Sequence, residues 1–377
     1  MELELCLRGG TVLTPSGFIT GDVGIAGGRI AAVGCLGRAA SDVDASGLHV
    51  LPGFVDVHVH GAGGSCDPAE MARFLPRTGV TAFLPTLATA SPEETLAFLE
   101  GISELRGIAE AEVLGSHLEG PFLSADHCGA QRSEHLRAPD RGEVEGWLET
   151  ARGTLRRVTL APELPGARQV VERLVKAGVQ VSLGHSGCTY LQAEEAVNWG
   201  ASSVTHTFNA MAPFHQREPG LAGAALTLPK LVSELIADGA HVHRGACLAL
   251  VRVRSAASVA VVSDGLPALG LAAGRYQWQG RTVISDGAVG RLEDGTLAGS
   301  ATPMVQALRN LVSWGAELAE AAQMLSAAGA ALAGAGSRKG TIAEGFDADL
   351  VLLDGELRLT ATYCRGELAF SSGGLDG

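Results

Sequence analysis

The sequence predicts an α/β protein, a (β/α)8 TIM barrel with a small β domain formed by both chain termini; by periodicity alone a doubly wound open sheet fits nearly as well. Three observations point there. Eight short apolar runs recur through the middle of the chain, with helical patterns between them. Strand-like alternation marks both ends. Several of the apolar runs finish in histidine or carboxylate residues, and barrel active sites are built at the C-terminal ends of strands. At 377 residues the chain has room for a barrel of about 250 residues and an accessory domain.

The elements follow in order. Leu3, Leu5 and Leu7 share one face of a first strand, and Thr11-Val12-Leu13 and Val23-Gly24-Ile25 continue the alternation. Gly27-Gly28 then makes a turn before Arg29–Val33. The segment 341–370 reads the same way, through Ala348–Leu353, Leu357–Leu359 and Ala369-Phe370. The terminal β domain is therefore expected over 1–51 plus 341–377, and the barrel over 52–340. The barrel strands are expected at Phe54–Val59, Val80–Leu87, Val113–Leu118, Val158–Ala161, Val179–Leu183, Ser203–His206, Val232–Ile236 and Val259–Val262. Helical patterns lie at Pro92–Leu105, Ala167–Lys176, Leu191–Asn198 and Gly245–Val253, and Thr302–Ala333 is expected to be helical and to close the barrel.

Composition narrows the function. Hydrophobic residues make up 46% and charged residues 18%, which is globular and not disordered. A net charge of −13 disfavours nucleic acid and anionic membrane as partners, while leaving room for a local basic site for a small anion. The seven cysteines are scattered, odd in number and without a CxxC pair, so reduced thiols in a cytoplasmic protein are expected. The opening MELELCLRGG has neither a charged n-region nor an apolar h-region. The weakly polar stretch Ala327–Gly336 is too short to span a bilayer.

Four run ends carry metal-ligand residue types: Asp56-Val57-His58-Val59-His60, His117-Leu118-Glu119, Gly184-His185-Ser186 and Thr205-His206-Thr207. A fifth, Ser263-Asp264-Gly265, offers a carboxylate. His58 and His60 are two apart and share a strand face. A lone histidine is usually a core or surface residue, but histidines at several barrel strand ends converge on one axial spot. Imidazole and carboxylate there suit Zn²⁺ or Fe²⁺. A metal with an open position acidifies water and polarises a carbonyl, and Asp264 can take the proton and later give it to a leaving amine. His127, His135, His215 and His243 sit in polar, loop-like contexts and read as surface residues.

Lysine usage decides one mechanism. The three lysines are Lys176, Lys230 and Lys339, and the fourth run, Arg157–Glu163, contains none. A carboxylated lysine bridging two metals at the fourth strand is thereby excluded, leaving a bridging glutamate or a single-metal site.

Leu51-Pro52-Gly53-Phe54-Val55-Asp56-Val57-His58-Val59-His60-Gly61 resembles the opening signature of the amidohydrolase superfamily. His117–Phe122, Thr205–Met211, Arg217–Gly220, Ile236–Val242 and Gly295–Ser300, in this order and spacing, are similar to the N-acetylglucosamine-6-phosphate deacetylases within it. The resemblance runs along nearly the whole chain. It implies a metal-dependent barrel with a terminal β-sandwich and hydrolysis of the N-acetyl group of N-acetylglucosamine 6-phosphate. Glu119, His185 and His206 match the main metal ligands, and His58 and His60 match a pair that holds a second metal in some members. One or two divalent ions per subunit are implied, Zn²⁺ ahead of Fe²⁺. Asp264 matches the catalytic aspartate. Arg217 and His241 match positions that bind the sugar phosphate, and Asn209 and Ala210 match backbone contacts beside it. The family's phosphate site borrows an arginine from a second subunit, which implies a homodimer.

Two positions depart from the family pattern. Gln131 stands where the family has a histidine that contacts the acyl carbonyl; a neutral donor there is expected to lower the rate by about 10²-fold. Leu266, after Gly265, is expected to reshape the pocket beside the sugar. These departures raise an alternative, deacylation of another N-acyl amino-sugar phosphate such as N-acetylgalactosamine 6-phosphate. A non-catalytic sugar-phosphate sensor is the alternative from another class.

Overall fold

The computed structural model describes residues 2–105 and 110–373. The chain opens with β1 (Leu3–Thr14), β2 (Gly17–Ala26), β3 (Arg29–Gly34), β4 (Ala39–Asp44) and β5 (His49–Pro52). Gly27 and Gly28 turn β2 into β3 with φ of 57° and 72°, the left-handed pair that a two-residue hairpin of this twist requires. β1 changes partner along its length: Leu3–Arg8 pairs with β4, and Thr11–Val12 pairs with β5. Gly9, at φ 67°, sits at the break.

Eight parallel strands then form the barrel, each hydrogen-bonded to the next: β6 (Phe54–Val59), β7 (Val80–Ala88), β9 (Ser116–Glu119), β10 (Leu155–Leu160), β11 (Gln180–Leu183), β12 (Ser203–Val204), β13 (Val232–Ile236) and β14 (Val259–Val262). A short β8 (Glu112–Val113) edges β7. All eight expected runs are strands, within a few residues at their ends. The helices between them are α1 (Pro68–Phe74), α2 (Pro92–Glu104), α3 (Arg141–Ala151), α4 (Ala167–Lys176), α5 (Tyr190–Trp199), α6 (Gly220–Thr227) and α7 (Arg244–Val253). Their starts are written locally: Ser91 and Glu94 form a capping box with Pro92 at the first turn, and Thr189 and Gln192 form another. In α4, Val170, Val171 and Leu174 face the strands and their neighbours Arg168, Glu172 and Arg173 face outward.

The apolar strand residues face the helices. Val158 and Leu160 of β10 join the core against α3 and α4, while Arg157 and Thr159 point into the lumen. The lumen is thus polar, occupied by Thr86, His117, Thr159, Ser182, Ser203 and Thr205 in one hydrogen-bonded set around Arg157.

Between barrel and final helices lies an element the sequence reading did not isolate. β15 (Gly274–Trp278), β16 (Arg281–Ser285), β17 (Val289–Leu292) and β18 (Leu297–Ser300) form a four-stranded antiparallel sheet. Its strands are four or five residues long, too short for alternation to stand out. Then α8 (Met304–Trp314), α9 (Leu318–Leu325) and α10 (Ala327–Leu332) pack across the seam between β14 and β6, as expected for a segment that closes the barrel. Gly329 is required there, because a Cβ would stand 2.3 Å from the Val55 carbonyl oxygen.

β19 (Leu350–Leu353), β20 (Leu359–Cys364) and β21 (Glu367–Ser371) return to the first sheet, where β19 runs antiparallel to β5. Both ends of the chain therefore share one eight-stranded sheet, whose core includes Val12, Ile25, Ile30, Leu350, Leu352 and Tyr363. Of the expected sandwich segments, Met1 and residues 374–377 lie outside the described residues. The sheet is tied to the barrel by Lys339, fully buried, whose Nζ lies 2.5 Å from Asp349, 2.9 Å from Glu112 and 2.9 Å from Asp347. No helix among the described residues is long and apolar enough to cross a membrane.

Candidate metal centre and active site

The barrel strands deliver their C-terminal residues to one point. His58 comes from β6 with His60 just beyond it, Glu119 ends β9, and His185, His206 and Asp264 follow β11, β12 and β14. The backbone there is held in an unusual shape. Of nine non-glycine residues with positive φ among the described residues, five lie here: His185, His206, Phe208, Ala210 and Asp264. Each such residue costs on the order of 1–3 kcal/mol, and such strain concentrates at functional sites.

Glu119 is the hub. Its Oε1 lies 3.1 Å from His185 Nε2, 2.9 Å from His206 Nε2 and 3.4 Å from His58 Nε2. Its Oε2 lies 3.3 Å from His60 Nε2. Two groups suited to a metal result, His58–His60–Glu119 and Glu119–His185–His206, sharing the glutamate. Asp264 Oδ1 stands 3.4 Å from His58 Nε2 and 3.3 Å from His60 Nε2.

The tautomers show what the cluster is built for. His60 Nδ1 donates to the Thr86 carbonyl (3.0 Å), and His185 Nδ1 to the His127 carbonyl (2.9 Å). His58 Nδ1 donates to Glu234 Oε2 at 3.0 Å. With Nδ1 carrying the proton, each Nε2 presents a lone pair to the centre. Yet His58 Nε2 and His60 Nε2 are 3.3 Å apart, and His185 Nε2 and His206 Nε2 are 3.1 Å apart. Buried lone pairs facing one another beside carboxylates fit a divalent cation, and the donor set of imidazole nitrogen and carboxylate oxygen fits Zn²⁺ or Fe²⁺.

The carboxylates that suit a cation also draw protons to the imidazoles, so proton and metal compete for each Nε2. Burial opposes charge on His58 and His60, but Glu119 and Asp264 outweigh it, lifting His58 well above its ordinary range and His60 to about 9. Burial likewise opposes ionisation of Glu119 and Asp264, but the histidines reverse it and hold both well below the usual carboxylate range. Asp264 is also fixed through the backbone. Its N–H donates to the His58 carbonyl at 2.9 Å, and its own carbonyl accepts from Ser300 at 2.9 Å. The buried Asp56 accepts from the Ser263 hydroxyl (2.5 Å) and from the backbone N–H groups of Ser263 and His58, lashing β14 to β6.

The cluster floors a cavity of about 160 Å³ whose wall includes Gln131, Asn209, Ala210, His241, Trp278 and Leu297. His241 is oriented by Asp238, whose Oδ2 accepts from its Nδ1 at 2.6 Å. Asn209 donates its amide to the His206 carbonyl. Arg217 is not brought to the cavity wall; it is exposed on the loop between β12 and α6.

Three expectations are revised, and His117, to which the sequence assigned no role, is placed. Gln131 was expected to face an acyl carbonyl, but both ends of its amide are taken: Nε2 donates to Glu119 Oε2 at 2.5 Å and Oε1 accepts from the Thr89 N–H at 2.6 Å. Leu266 does not touch the cavity; fully buried, it packs with Trp278 and Val283 beneath the four-stranded sheet. His117 is no ligand: its ring lies between the hydroxyls of Thr86 and Thr159, and burial holds it neutral, well below its ordinary range. His127 is half-buried and not a plain surface residue, since its carbonyl orients His185.

Sequence reasoning missed Glu234, Arg157 and Trp278. A glutamate inside the apolar run Val232–Ile236 was a legible signal, because a buried carboxylate needs a partner. Trp278 had no motif; a hairpin with Gln279 and Gly280 at φ of 49° and 74° places it against His60, ring centroids 5.4 Å apart.

A (β/α)8 barrel with histidines and a shared glutamate at its mouth defines a metal-dependent hydrolase scaffold, and the family comparison agrees: the chain belongs to the amidohydrolase family, whose model matches residues 49–372. Within it, an N-acetylglucosamine-6-phosphate deacetylase of Lysinibacillus sphaericus is 34% identical, covering 97% of this chain and 98% of its own length. An N-acetylgalactosamine-6-phosphate deacetylase of Escherichia coli O157:H7 is 36% identical over 96% of this chain and 98% of its own. Among solved structures, the N-acetyl-D-glucosamine-6-phosphate deacetylase of Mycobacterium smegmatis, a variant in complex with N-acetyl-D-glucosamine 6-phosphate, superposes with a TM-score of 0.91 at 34% identity. That match covers 98% of this chain and all of that one.

Proposed function

We propose that this chain hydrolyses the N-acetyl group of N-acetylglucosamine 6-phosphate, giving glucosamine 6-phosphate and acetate. The observation that carries the reading is Glu119 shared between two histidine pairs with Asp264 beside them, in a chain alike over its full length to deacetylases of this substrate.

Glu119, His185 and His206 would hold one divalent metal, and His58 and His60, with Glu119, a second; Zn²⁺ is the ion the donor set favours. When bound, the metal supplies Lewis acidity that polarises the amide carbonyl and acidifies water. Asp264 does the proton work. Held ionised, it accepts the proton of the attacking water, then delivers it to the amine nitrogen as the C–N bond breaks. Thr86, His127 and Glu234 keep the imidazoles in the tautomer that faces the centre. Gln131 holds Glu119, with Thr89 as its anchor. Asn209, Ala210 and His241 line the sugar side of the cavity. Arg217, exposed in the single chain, is assigned to the phosphate, where a planar guanidinium binds in bidentate fashion. That assignment goes with a homodimer, as the family's shared phosphate site implies. The substrate and products are small soluble metabolites, consistent with a cytoplasmic enzyme.

The test uses the purified protein with its metal content measured. Acetate and free amine are followed with N-acetylglucosamine 6-phosphate, its galactosamine epimer and unphosphorylated N-acetylglucosamine. Preference for the first is expected. Equal turnover of the unphosphorylated sugar overturns the role of Arg217, and tight binding without turnover by metal-loaded protein overturns the hydrolase reading.

A further inference from the structure

Glu234 lies at the middle of β13, fully buried below the metal centre. Its Oε2 accepts two hydrogen bonds, from His58 Nδ1 at 3.0 Å and from the His206 backbone N–H at 3.0 Å. Its Oε1 lies 2.6 Å from Arg157 Nη2. Arg157, also fully buried, comes from β10 on the far side of the lumen and donates to Ser182 Oγ (2.8 Å) and Ser203 Oγ (3.0 Å).

A buried ion pair is a poor way to stabilise a core, since well-packed apolar residues of similar volume usually do as well or better. Its geometry explains it better than stability does. The carboxylate touches one residue from each histidine pair: the ring of His58 and the backbone that sets His206 at φ 28°. It fixes the His58 tautomer and raises the donor strength of Nε2. Alone, it would be a third carboxylate beside Glu119 and Asp264. Arg157 cancels that charge from the side away from the centre, leaving two carboxylates for a divalent ion.

We propose that the Glu234–Arg157 pair is a positioning device that sets both histidine pairs for metal binding. The inference rests on the metal-dependent reading above.

The test measures Zn²⁺ affinity by competition with a chromophoric chelator, the Co²⁺ absorption spectrum, and thermal unfolding of the metal-free protein. Glu234→Gln keeps the shape and removes the charge. It is expected to weaken Zn²⁺ binding about 10- to 100-fold and to shift the Co²⁺ bands. A double variant, Glu234→Leu with Arg157→Met, is expected to unfold at or above the parental temperature while losing affinity to the same degree. Parental Zn²⁺ affinity and Co²⁺ spectrum in Glu234→Gln overturn the proposal, however the double variant folds. So does a double variant that folds and binds Zn²⁺ as the parent does. Because no substrate enters these measurements, their failure is distinct from a failure of the parent to release acetate.

Discussion

His185 Nε2 and His206 Nε2 stand 3.1 Å apart, and both face the same oxygen of Glu119. Two imidazole nitrogens and a carboxylate oxygen gathered at that separation form a donor set for a divalent cation. Chelator treatment is therefore expected to take acetate release to background, and added Zn²⁺ to restore it. Metal removal is also expected to lower the unfolding temperature, because the ion binds only the folded chain. His206→Ala is expected to reduce bound metal by one equivalent, as read by elemental analysis. Full activity in metal-stripped protein would sink the metal-centre reading.

Asp264 contacts both His58 and His60 and also lines the cavity. Asp264→Asn preserves size and removes the proton acceptor. The expected loss in kcat is about 10² to 10⁴-fold with metal content retained. A variant with parental kcat would remove Asp264 from the proton path.

Arg217 lies outside the cavity wall in a single chain. If it reaches the phosphate, Arg217→Ala raises KM for the 6-phosphate by roughly 10-fold or more and leaves kcat nearly intact. The same variant is expected to have no effect on unphosphorylated sugar. An unchanged KM assigns the phosphate to another residue.

Glu112 joins the barrel to the terminal sheet through Arg338 and Lys339. Burial opposes its ionisation, but the two cations outweigh that and bring its pKa to about 2. The unfolded value is about 4.3, so the folded value is depressed. The stabilisation is therefore full above the unfolded pKa and disappears as the pH falls toward the folded one. Glu112→Gln is expected to lower the unfolding temperature by a few degrees at neutral pH and to flatten its decline between pH 5 and 2. Parallel acid profiles for parent and variant would show that the pair contributes nothing to pH stability.

Trp278 is nearly fully buried between His60, Leu266 and Val283, with the Arg281 guanidinium 5.1 Å from its ring centre. Arg281 in turn donates to the Ala130 carbonyl at 2.8 Å. Trp278→Ala is expected to cost about 3–5 kcal/mol of local stability. The effect belongs to the four-stranded sheet, so amide exchange is expected to speed up over residues 274–300 while β6 and β7 keep their protection. Unchanged exchange in that sheet contradicts the anchoring role.

The barrel was legible because its strands are buried on the helix side, and burial writes apolar runs into the sequence. Val232–Ile236 and Val259–Val262 are strands for that reason. His58, His60, Glu119, His185 and His206 were legible as a cluster because they fall at run ends, where a histidine or glutamate has no packing role. The four-stranded sheet was not legible: its Tyr276, Gln277 and Thr282 are partly exposed, so no apolar period marks it. The Gln131 contact was equally hidden, since a family position tells which residue stands there and not where its amide turns.

By itself, then, the sequence determined the alternation of strand and helix, the pairing of both ends in one domain, and the chemical types gathered at the barrel mouth. These follow from local periodicity and from residue chemistry. Only the tertiary structure decided that Glu119 is shared, that Gln131 and Thr89 hold it, that Glu234 answers to Arg157 across the lumen, and that Trp278 comes over His60. Each of these joins residues many positions apart. Their meeting depends on barrel closure and on side-chain direction within a buried polar interior, which no local period encodes.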